Sequence, residues 1–508
     1  MTGRPNRRPN RHPVRHREGG RGPDAVVIGT GPNGLAAGVT LARAGLQVEL
    51  FEAADTIGGG LRTLPLFDSE VLHDICSAVH PMAPASPFFR AFDLAAHGVD
   101  LITPTLSYAH PLADGRAALA WRDLATTADA LGVDGPAWRD LMEPLIAHSA
   151  QVVAFFLSDQ RTLPADPTTP LLLAHRILRH GTALAHRQFR TEEAAALLAG
   201  TAAHAIGRLP SLAGGAIALL LGHLAHTTGW PLPRGGSAQI AKAMAADITA
   251  HGGVIHTGTR ITDLGALPPS RVVLADVSPK GLLEIAGANL PHRYARALES
   301  FRYGPAAAKV DFLVSDPIPW ANPQLRTAGT IHLGGTQREL YAAESSTARG
   351  RLPRHPFMLI VDPAVTDPDR ARAGRRPVWA YAHVPHGDPA NRATLVRETI
   401  ERYAPGFQDT ILAERVVSAA QWEAYNPNYV GGDIGAGAIT LRQTFFRPTI
   451  RWNPYRTPLP GLYLCSASTP PGPAVHGMPG YLAARSALRR EFGIHLPKTA
   501  YPAASSPR

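Results

Sequence analysis

Residues 24–52, DAVVIGTGPNGLAAGVTLARAGLQVELFE, read as an apolar strand, a glycine turn, an alanine-rich helix, a second strand and a closing acid, Glu52. This is a nucleotide cradle. Gly29, Gly31 and Gly34 form G-x-G-x-x-G between strand and helix: the first allows a tight turn, the second lets backbone approach a pyrophosphate, and the third packs helix on strand. Pro32 and Asn33 open the helix, where a missing proline N–H costs nothing. Helix-terminal amides then face the phosphates, while Glu52 accepts hydrogen bonds from ribose hydroxyls and disfavours a 2′-phosphate. Taken alone, the glycine pattern also suits a plain strand–helix turn.

Immediately beyond Glu52, Ala53 to Thr63 reads AADTIGGGLRT. Gly58, Gly59 and Gly60 permit a second close backbone approach, and Arg62 supplies a cation for phosphate or ribityl oxygens. This loop points to FAD rather than NAD. At the far end, Gly461 to Tyr481, GLYLCSASTPPGPAVHGMPGY, gives a short strand, a Gly/Pro-rich loop and a helix start at Pro479. Its positive end would face the flavin and favour the negatively charged reduced form. The loop's prolines would also suit a surface loop.

The glycine pair followed by arginine resembles the signature of the FAD-dependent amine oxidase and phytoene desaturase superfamily. With HDICSAVHP (73–81), GWPLPRGG (229–236), NPNYVGGDIGAGA (426–438) and the C-terminal loop, the chain is similar to the phytoene dehydrogenase-like flavoproteins over nearly all its length after residue 22. Ser466 and Pro473 depart from the pattern, standing where many relatives carry glycine. The resemblance implies an α/β fold: a Rossmann-type FAD-binding domain built from discontinuous segments, plus a mixed α+β substrate domain. The expected division is FAD-binding segments at 23–123, 229–290 and 435–495, a helical cap at 124–228 and a substrate domain with sheet at 291–434. Tails at 1–22 and 496–508 flank these.

The remaining sequence fits that division. Helical patterns cover Ala137 to Phe156, Thr191 to His204 and Leu212 to Ala225; the last is too short to span a bilayer and reads as a buried helix. From Pro233 a glycine turn leads to a helix ending near His251 and then a strand pair, shortened after Arg260. RVVLAD (271–276) reads as a buried parallel strand. Strands are also expected from Gly304 and around Pro356 to Asp362 and Val378 to Pro385.

Composition excludes several classes. The 508 residues, 45% hydrophobic, can bury large cores. Cys76 and Cys465 are the only cysteines, so neither an iron–sulfur cluster nor a redox dithiol is supported. The 22 histidines form no H-E-x-x-H, and no metal site is expected. Of the formal charge of +10, residues 1–22 carry +6 in an arginine-rich stretch expected to be disordered. The chain is expected in the cytoplasm; peripheral membrane contact stays open, specific nucleic-acid binding is not expected, and oligomeric state is silent.

The resemblance also implies site roles. It places HDICSAVHP against the isoalloxazine, making Asp74, Ser77 and His80 substrate-side candidates, with His476 approaching from the C-terminal loop among the cofactor-binding Val475, Gly477 and Met478. Ile261 would sit beside adenine. Lys309, one of four lysines, stands where the amine oxidase branch holds a water near flavin N5; an exposed strand lysine is the alternative. His80, His476 and Lys309 are therefore the catalytic candidates. Asn426, Asn428 and Asp433 either line the cavity or build turns.

One dinucleotide cradle and no dithiol leave NAD(P)H without its own domain. Electrons are expected to enter as hydride from substrate and leave to oxygen, a quinone or another carrier. The leading expectation is an FAD-dependent dehydrogenase or desaturase of an apolar, polyene- or terpenoid-like small molecule. A flavin-dependent isomerase is the alternative. Amine oxidation ranks lower because no aromatic pair flanks the C-terminal loop, and a non-catalytic scaffold or regulator ranks lowest.

Overall fold

The first strand, AVVI at Ala25–Ile28, is buried at all four positions and lies at the centre of a five-stranded parallel sheet. A parallel sheet covered on both faces demands continuous apolar runs. Val272–Ala275 answers with VVLA on one side, and Val48–Phe51 pairs on the other. Leu462–Leu464 and Val254–His256 complete the edges. Segments more than 400 residues apart in sequence thus share one sheet. The computed structural model describes residues 22–112, 114–159 and 167–497; residues 1–21 of the arginine-rich stretch and 498–508 of the C-terminal tail lie outside it.

Helix Pro32–Arg43 covers one face of this sheet, between Ala238–Ala250 and Met478–Ala487. Close approach explains the glycines at two points. A Cβ on Gly34 would fall 2.1 Å from the Gly29 carbonyl oxygen, and one on Gly480 would fall 1.8 Å from that of Asn33. Helices Pro279–Ala286 and His292–Glu299 cover the opposite face through Leu282, Ile285 and Leu298, packed with Ile28 and Leu464.

A second, seven-stranded sheet runs in the order Ile411–Val417, Ala306–Val314, Arg376–Val384, Met358–Val361, Thr330–Leu333, Leu106–Pro111, Ala117–Trp121. All pairs are antiparallel except Thr330–Leu333 with Leu106–Pro111. Alternation divides its two longest strands, Ala306–Val314 and Arg376–Val384, cleanly. Ala308, Val310, Phe312, Val378, Ala380 and Ala382 pack toward helix Ala393–Tyr403. Lys309, Asp311, Trp379, Tyr381 and His383 occupy the other face.

The expected FAD-binding segment 23–123 therefore takes in two strands of this second sheet, Leu106–Pro111 and Ala117–Trp121. Leu212–Ala225 is the expected buried helix, capped by Ser211, and Glu192–Ala203 begins after Thr191. Ala137 to Phe156 is not one helix: Gly135–Ala147 and Ser149–Phe156 meet at His148. Pro144 cannot donate to the Asp140 carbonyl, which instead accepts from Arg176 Nη2 at 2.9 Å. Nor does the strand pair after Pro233 form. Val254–His256 joins the parallel sheet, and the chain then passes through a short turn, Leu264–Ala266, and Pro268–Pro269, which offer no ladder donors. No helix among the described residues is long and apolar enough to cross a membrane.

Candidate functional site

Two glycine turns meet at the carboxyl end of the parallel sheet. The Gly58 amide donates to the Thr30 carbonyl at 2.9 Å, and a Cβ on Gly59 would lie 3.0 Å from Gly31 Cα. Two bare backbone surfaces therefore face each other at the place where ligands bind in open α/β sheets. From here a cavity of about 310 Å3 extends to the Trp379/Tyr381 face of the seven-stranded sheet. Gly31, Pro32, Asn33, Gly59 and Gly60 line its near end.

Behind the cradle, Glu52 is buried and accepts from the Thr30 amide at 2.9 Å, the Thr30 hydroxyl at 2.6 Å, the Ala54 amide at 3.0 Å and Arg62 Nη2 at 3.1 Å. Arg62 Nε also donates to the Thr56 carbonyl, and its guanidinium lies 5.2 Å from the Tyr425 ring centroid. Glu52 and Arg62 are thus partners of each other in the cradle wall. Ile261 is buried among the helices on the far sheet face, and Ala53 is exposed; neither borders the cavity.

Sequence reading missed Asp276, the last residue of RVVLAD. Its carboxylate accepts the Gly34 amide at 2.8 Å, borders the cavity and lies 2.8 Å from where a Gly31 Cβ would be. Burial pushes its carboxyl up to about 7, with the Glu52 charge adding to the rise against the Gly34 hydrogen bond. The sequence shows only an acid ending an apolar run, and pairing of Val272–Ala275 beside Ala25–Ile28 is what brings it to the glycine turn. Asn428 braces it: Nδ2 donates to the Asp276 carbonyl at 3.0 Å while Oδ1 accepts from the Ser278 amide at 2.7 Å.

The HDICSAVHP stretch divides in two. Ser77 and His80 border the cavity. Ser77 Oγ donates to the Gly60 carbonyl, tying the stretch to the second glycine turn. His80 Nε2 lies 2.8 Å from Ser237 Oγ, whose single proton goes to the Ser77 carbonyl at 2.7 Å. The imidazole must therefore donate from Nε2, leaving Nδ1 as an acceptor. Burial pushes this histidine down to about 4, so it is neutral at neutral pH.

Asp74 lies outside the cavity wall, a correction to the expected substrate contact. It pairs with Arg370 Nη1 at 3.0 Å and accepts from the Ser237 amide and the Thr63 hydroxyl. Burial pushes its carboxyl up, but Arg370 and these donors outweigh that and hold it below the usual range. Lys309 is likewise neither exposed nor in the cavity wall. Its ammonium pairs with Asp311, donates to the Asp74 carbonyl at 3.0 Å and sits 5.1 Å from the Trp379 ring centroid. It holds the 73–81 stretch against the sheet.

The C-terminal loop contributes Ser466, Pro473 and Val475 to the wall. His476 sits behind it, with Nδ1 accepting the Met478 amide at 3.2 Å. Burial pushes it down to about 4, so it braces the loop as a neutral ring away from the cavity. Gly477 and Met478 open the helix behind Val475, one residue before the expected start. For Asp433 the two alternatives, cavity wall and turn, are not exclusive. It borders the cavity and accepts the Gly304, Gly435 and Gly437 amides, at 2.6, 2.9 and 2.9 Å.

The far wall was largely invisible in the sequence. Trp379 and Tyr381 stack with ring centroids 5.8 Å apart, an aromatic pair supplied by the sheet and not by the C-terminal loop. Ile217, Leu221, Trp230 and Leu359 extend it, with His204 as its polar member, 3.0 Å from His332. Among the described residues no cluster could hold a metal ion.

This geometry suits FAD: three separated segments converge on one cavity, glycines Gly31, Gly59 and Gly60 open backbone to it at the cradle end, and the buried Asn33 Oδ1 there lacks a partner. Comparisons agree. The chain is 26% identical to rat pyridine nucleotide-disulfide oxidoreductase domain-containing protein 2, over 92% of this chain and 93% of that one. It is 25% identical to the phytoene dehydrogenase of Streptomyces griseus over 83% of this chain and 87% of that one. In fold it is similar to an oxidoreductase from Methanosarcina mazei (TM-score 0.56, 15% identity, 92% and 100% covered) and to putrescine oxidase bound to putrescine (0.55, 17%, 93% and 98%). The sequence profile of flavin containing amine oxidoreductases matches residues 33–484, running from the glycine cradle to the helix after the C-terminal loop. With both ends of that match meeting around one cofactor cavity, the chain belongs to the flavin containing amine oxidoreductase family and is an FAD-dependent oxidoreductase.

Proposed function

We propose that this oxidoreductase dehydrogenates an apolar, polyene- or terpenoid-like substrate. The observation that carries the reading is the far wall of the cavity, where Ile217, Leu221, Trp230, Leu359, Trp379 and Tyr381 surround the space and the polar members, His80 and His204, are held neutral by burial. A wall of this kind gains by excluding water from apolar surface. The carboxylates that border it are already engaged: Asp433 by three backbone amides, Asp276 by one. An ammonium substrate would find no carboxylate among the far-wall residues Ile217, Leu221, Trp230, Leu359, Trp379 and Tyr381.

Bound in the cradle, FAD supplies a two-electron acceptor for hydride. The chain's own residues orient the substrate and handle the proton. Trp379 and Tyr381 offer parallel ring faces to a flat conjugated chain. His80, donating from Nε2 to Ser237, keeps Nδ1 free to take the proton lost from the adjacent carbon. The similarity to a phytoene dehydrogenase across most of the chain supports the same substrate chemistry.

The test is anaerobic mixing of purified holoprotein with polyenes, terpenoids and a panel of amines while following the flavin's visible absorbance. Bleaching by the apolar compounds, with the dehydrogenated product recovered, is the expected result. Bleaching by amines alone overturns the reading, and conversion of a polyene to its isomer without net bleaching replaces it with isomerisation.

A further inference from the structure

The largest exposed apolar side chains of the described residues include five in one short stretch. Leu441, Phe445 and Phe446 lie on helix Leu441–Phe446, followed by Ile450 and Trp452, which are 70% and 82% exposed. Isolated exposed apolar residues need no explanation, but five within twelve positions form a patch. The stretch is braced rather than loose. Gln443 bonds the Arg302 amide and carbonyl and the Ala438 carbonyl, and the buried Arg447 donates to the Ala467 and Gly437 carbonyls.

The surroundings carry one sign of charge. Arg293, Arg302, Arg442 and Arg451 line a groove of about 640 Å3 together with Phe446 and Ile450. None of the four pairs with a carboxylate among the described residues; Arg451 stacks on Tyr294 at 5.4 Å. Between Asp433 and Glu491 the sequence contains no acidic residue. The patch is also continuous with the substrate cavity. Gly435 to Ile439 line that cavity, and the exposed helix begins two residues later, in contact with helix Leu212–Ala225, which supplies Ile217 and Leu221 to the cavity wall.

We propose that this face, Leu441 to Trp452 with its ring of arginines, docks onto an anionic lipid bilayer. Trp and Phe side chains partition to the headgroup boundary, and arginines beside them gain from the negative surface potential. The unpaired arginines decide between occupants: a second copy of this chain would bring the same cations against themselves, whereas an anionic membrane complements them. Docking here sets the cavity end of the 435–439 segment beside the bilayer. The inference stands on the surface alone and does not depend on which substrate the cavity takes.

The experiment is co-sedimentation of the FAD-loaded protein with phosphatidylcholine vesicles, with and without phosphatidylglycerol, at low and high salt. The expected result is binding that requires the anionic lipid and weakens with salt. W452E and F445E should each lower partitioning about tenfold or more, as loss of one buried large apolar contact implies. W452F should still sediment while losing most tryptophan quenching by brominated lipid. Flavin content of the variants shows that they fold. Absence of binding to either vesicle, binding that ignores phosphatidylglycerol, or a wild-type dimer in sedimentation velocity that F445E dissociates would each overturn the proposal.

Discussion

The Asp276 carboxylate accepts the Gly34 amide at 2.8 Å, so an acid from the neighbouring strand ties down the third glycine of the cradle where a pyrophosphate belongs. Burial raises this carboxyl to about 7. Protonated, it tolerates a diphosphate; ionised, it repels one. FAD affinity of the wild type should therefore fall as pH rises through about 7. The same raised group binds its proton in the fold and not in the unfolded chain between about 4 and about 7, so apoprotein stability also declines across that window. Asp276→Asn keeps an acceptor for Gly34 and removes the charge. It should flatten the pH dependence and tighten FAD binding about tenfold at alkaline pH, as a like-charge contact at a partly solvated site implies. Flavin fluorescence titration across pH 6–9 checks this, and an unaltered pH profile in the variant would contradict it.

Glu52→Ala should damage the cradle before any cofactor arrives. The glutamate holds Thr30 of the glycine turn and is the partner of the buried Arg62. Removing one member of a buried pair costs about 3–5 kcal/mol because the other charge is stranded. The apoprotein should melt lower and the holoprotein should lose flavin on dialysis, with Glu52→Gln milder on both counts. An unchanged apoprotein melting temperature combined with flavin loss would assign Glu52 to the cofactor alone.

How far the sequence could be read follows from how local each signal is. The cradle was legible because strand, turn, helix and acid follow one another within thirty residues and the glycines answer close approaches, as Gly34 does against the Gly29 carbonyl. The strand RVVLAD was legible as an apolar run, but its terminal Asp276 acquires meaning only when Val272–Ala275 pairs beside Ala25–Ile28. Trp379 and Tyr381 were hidden for the same reason. Alternation along Arg376–Val384 shows that they share a face, and only packing says which cavity that face borders. Helix Gly135–Ala147 carries Pro144 inside it and stops at His148, a break that a purely periodic reading passes over.

His80 and His476 should separate cleanly under substitution, because one borders the cavity and the other braces a loop. His80→Gln keeps a donor toward Ser237 but removes the Nδ1 acceptor. It should slow anaerobic flavin reduction by about ten- to a hundredfold, the scale of a lost proton acceptor, with little change in thermal stability. His476→Asn should instead lower stability by about 1–2 kcal/mol, the cost of disturbing a buried loop hydrogen bond, while leaving the flavin reduction rate of intact holoprotein nearly unchanged. Stopped-flow reduction and thermal melting on the same preparations distinguish them. Equal rate losses in both variants would sink the division.

Lys309 and Asp311 stand two residues apart on one strand, both nearly fully buried and paired with each other. Breaking such a pair strands a charge, whereas replacing both partners with apolar groups is far gentler. Lys309→Met should therefore destabilise the protein by about 3–5 kcal/mol, and Asp311→Leu by a similar amount. The double variant should recover most of that loss, because Trp379 already offers the lysine stem an apolar neighbour. What the double variant does not restore is the bond from the Lys309 ammonium to the Asp74 carbonyl. The 73–81 stretch would lose its tie to the sheet, and His80 would lose its fixed approach to the cavity. Stability and turnover should thus come apart: near-wild-type melting with a flavin reduction rate that stays low. Full recovery of both would show that Lys309 serves only its carboxylate partner, and recovery of neither would show that the charge pair itself shapes the site.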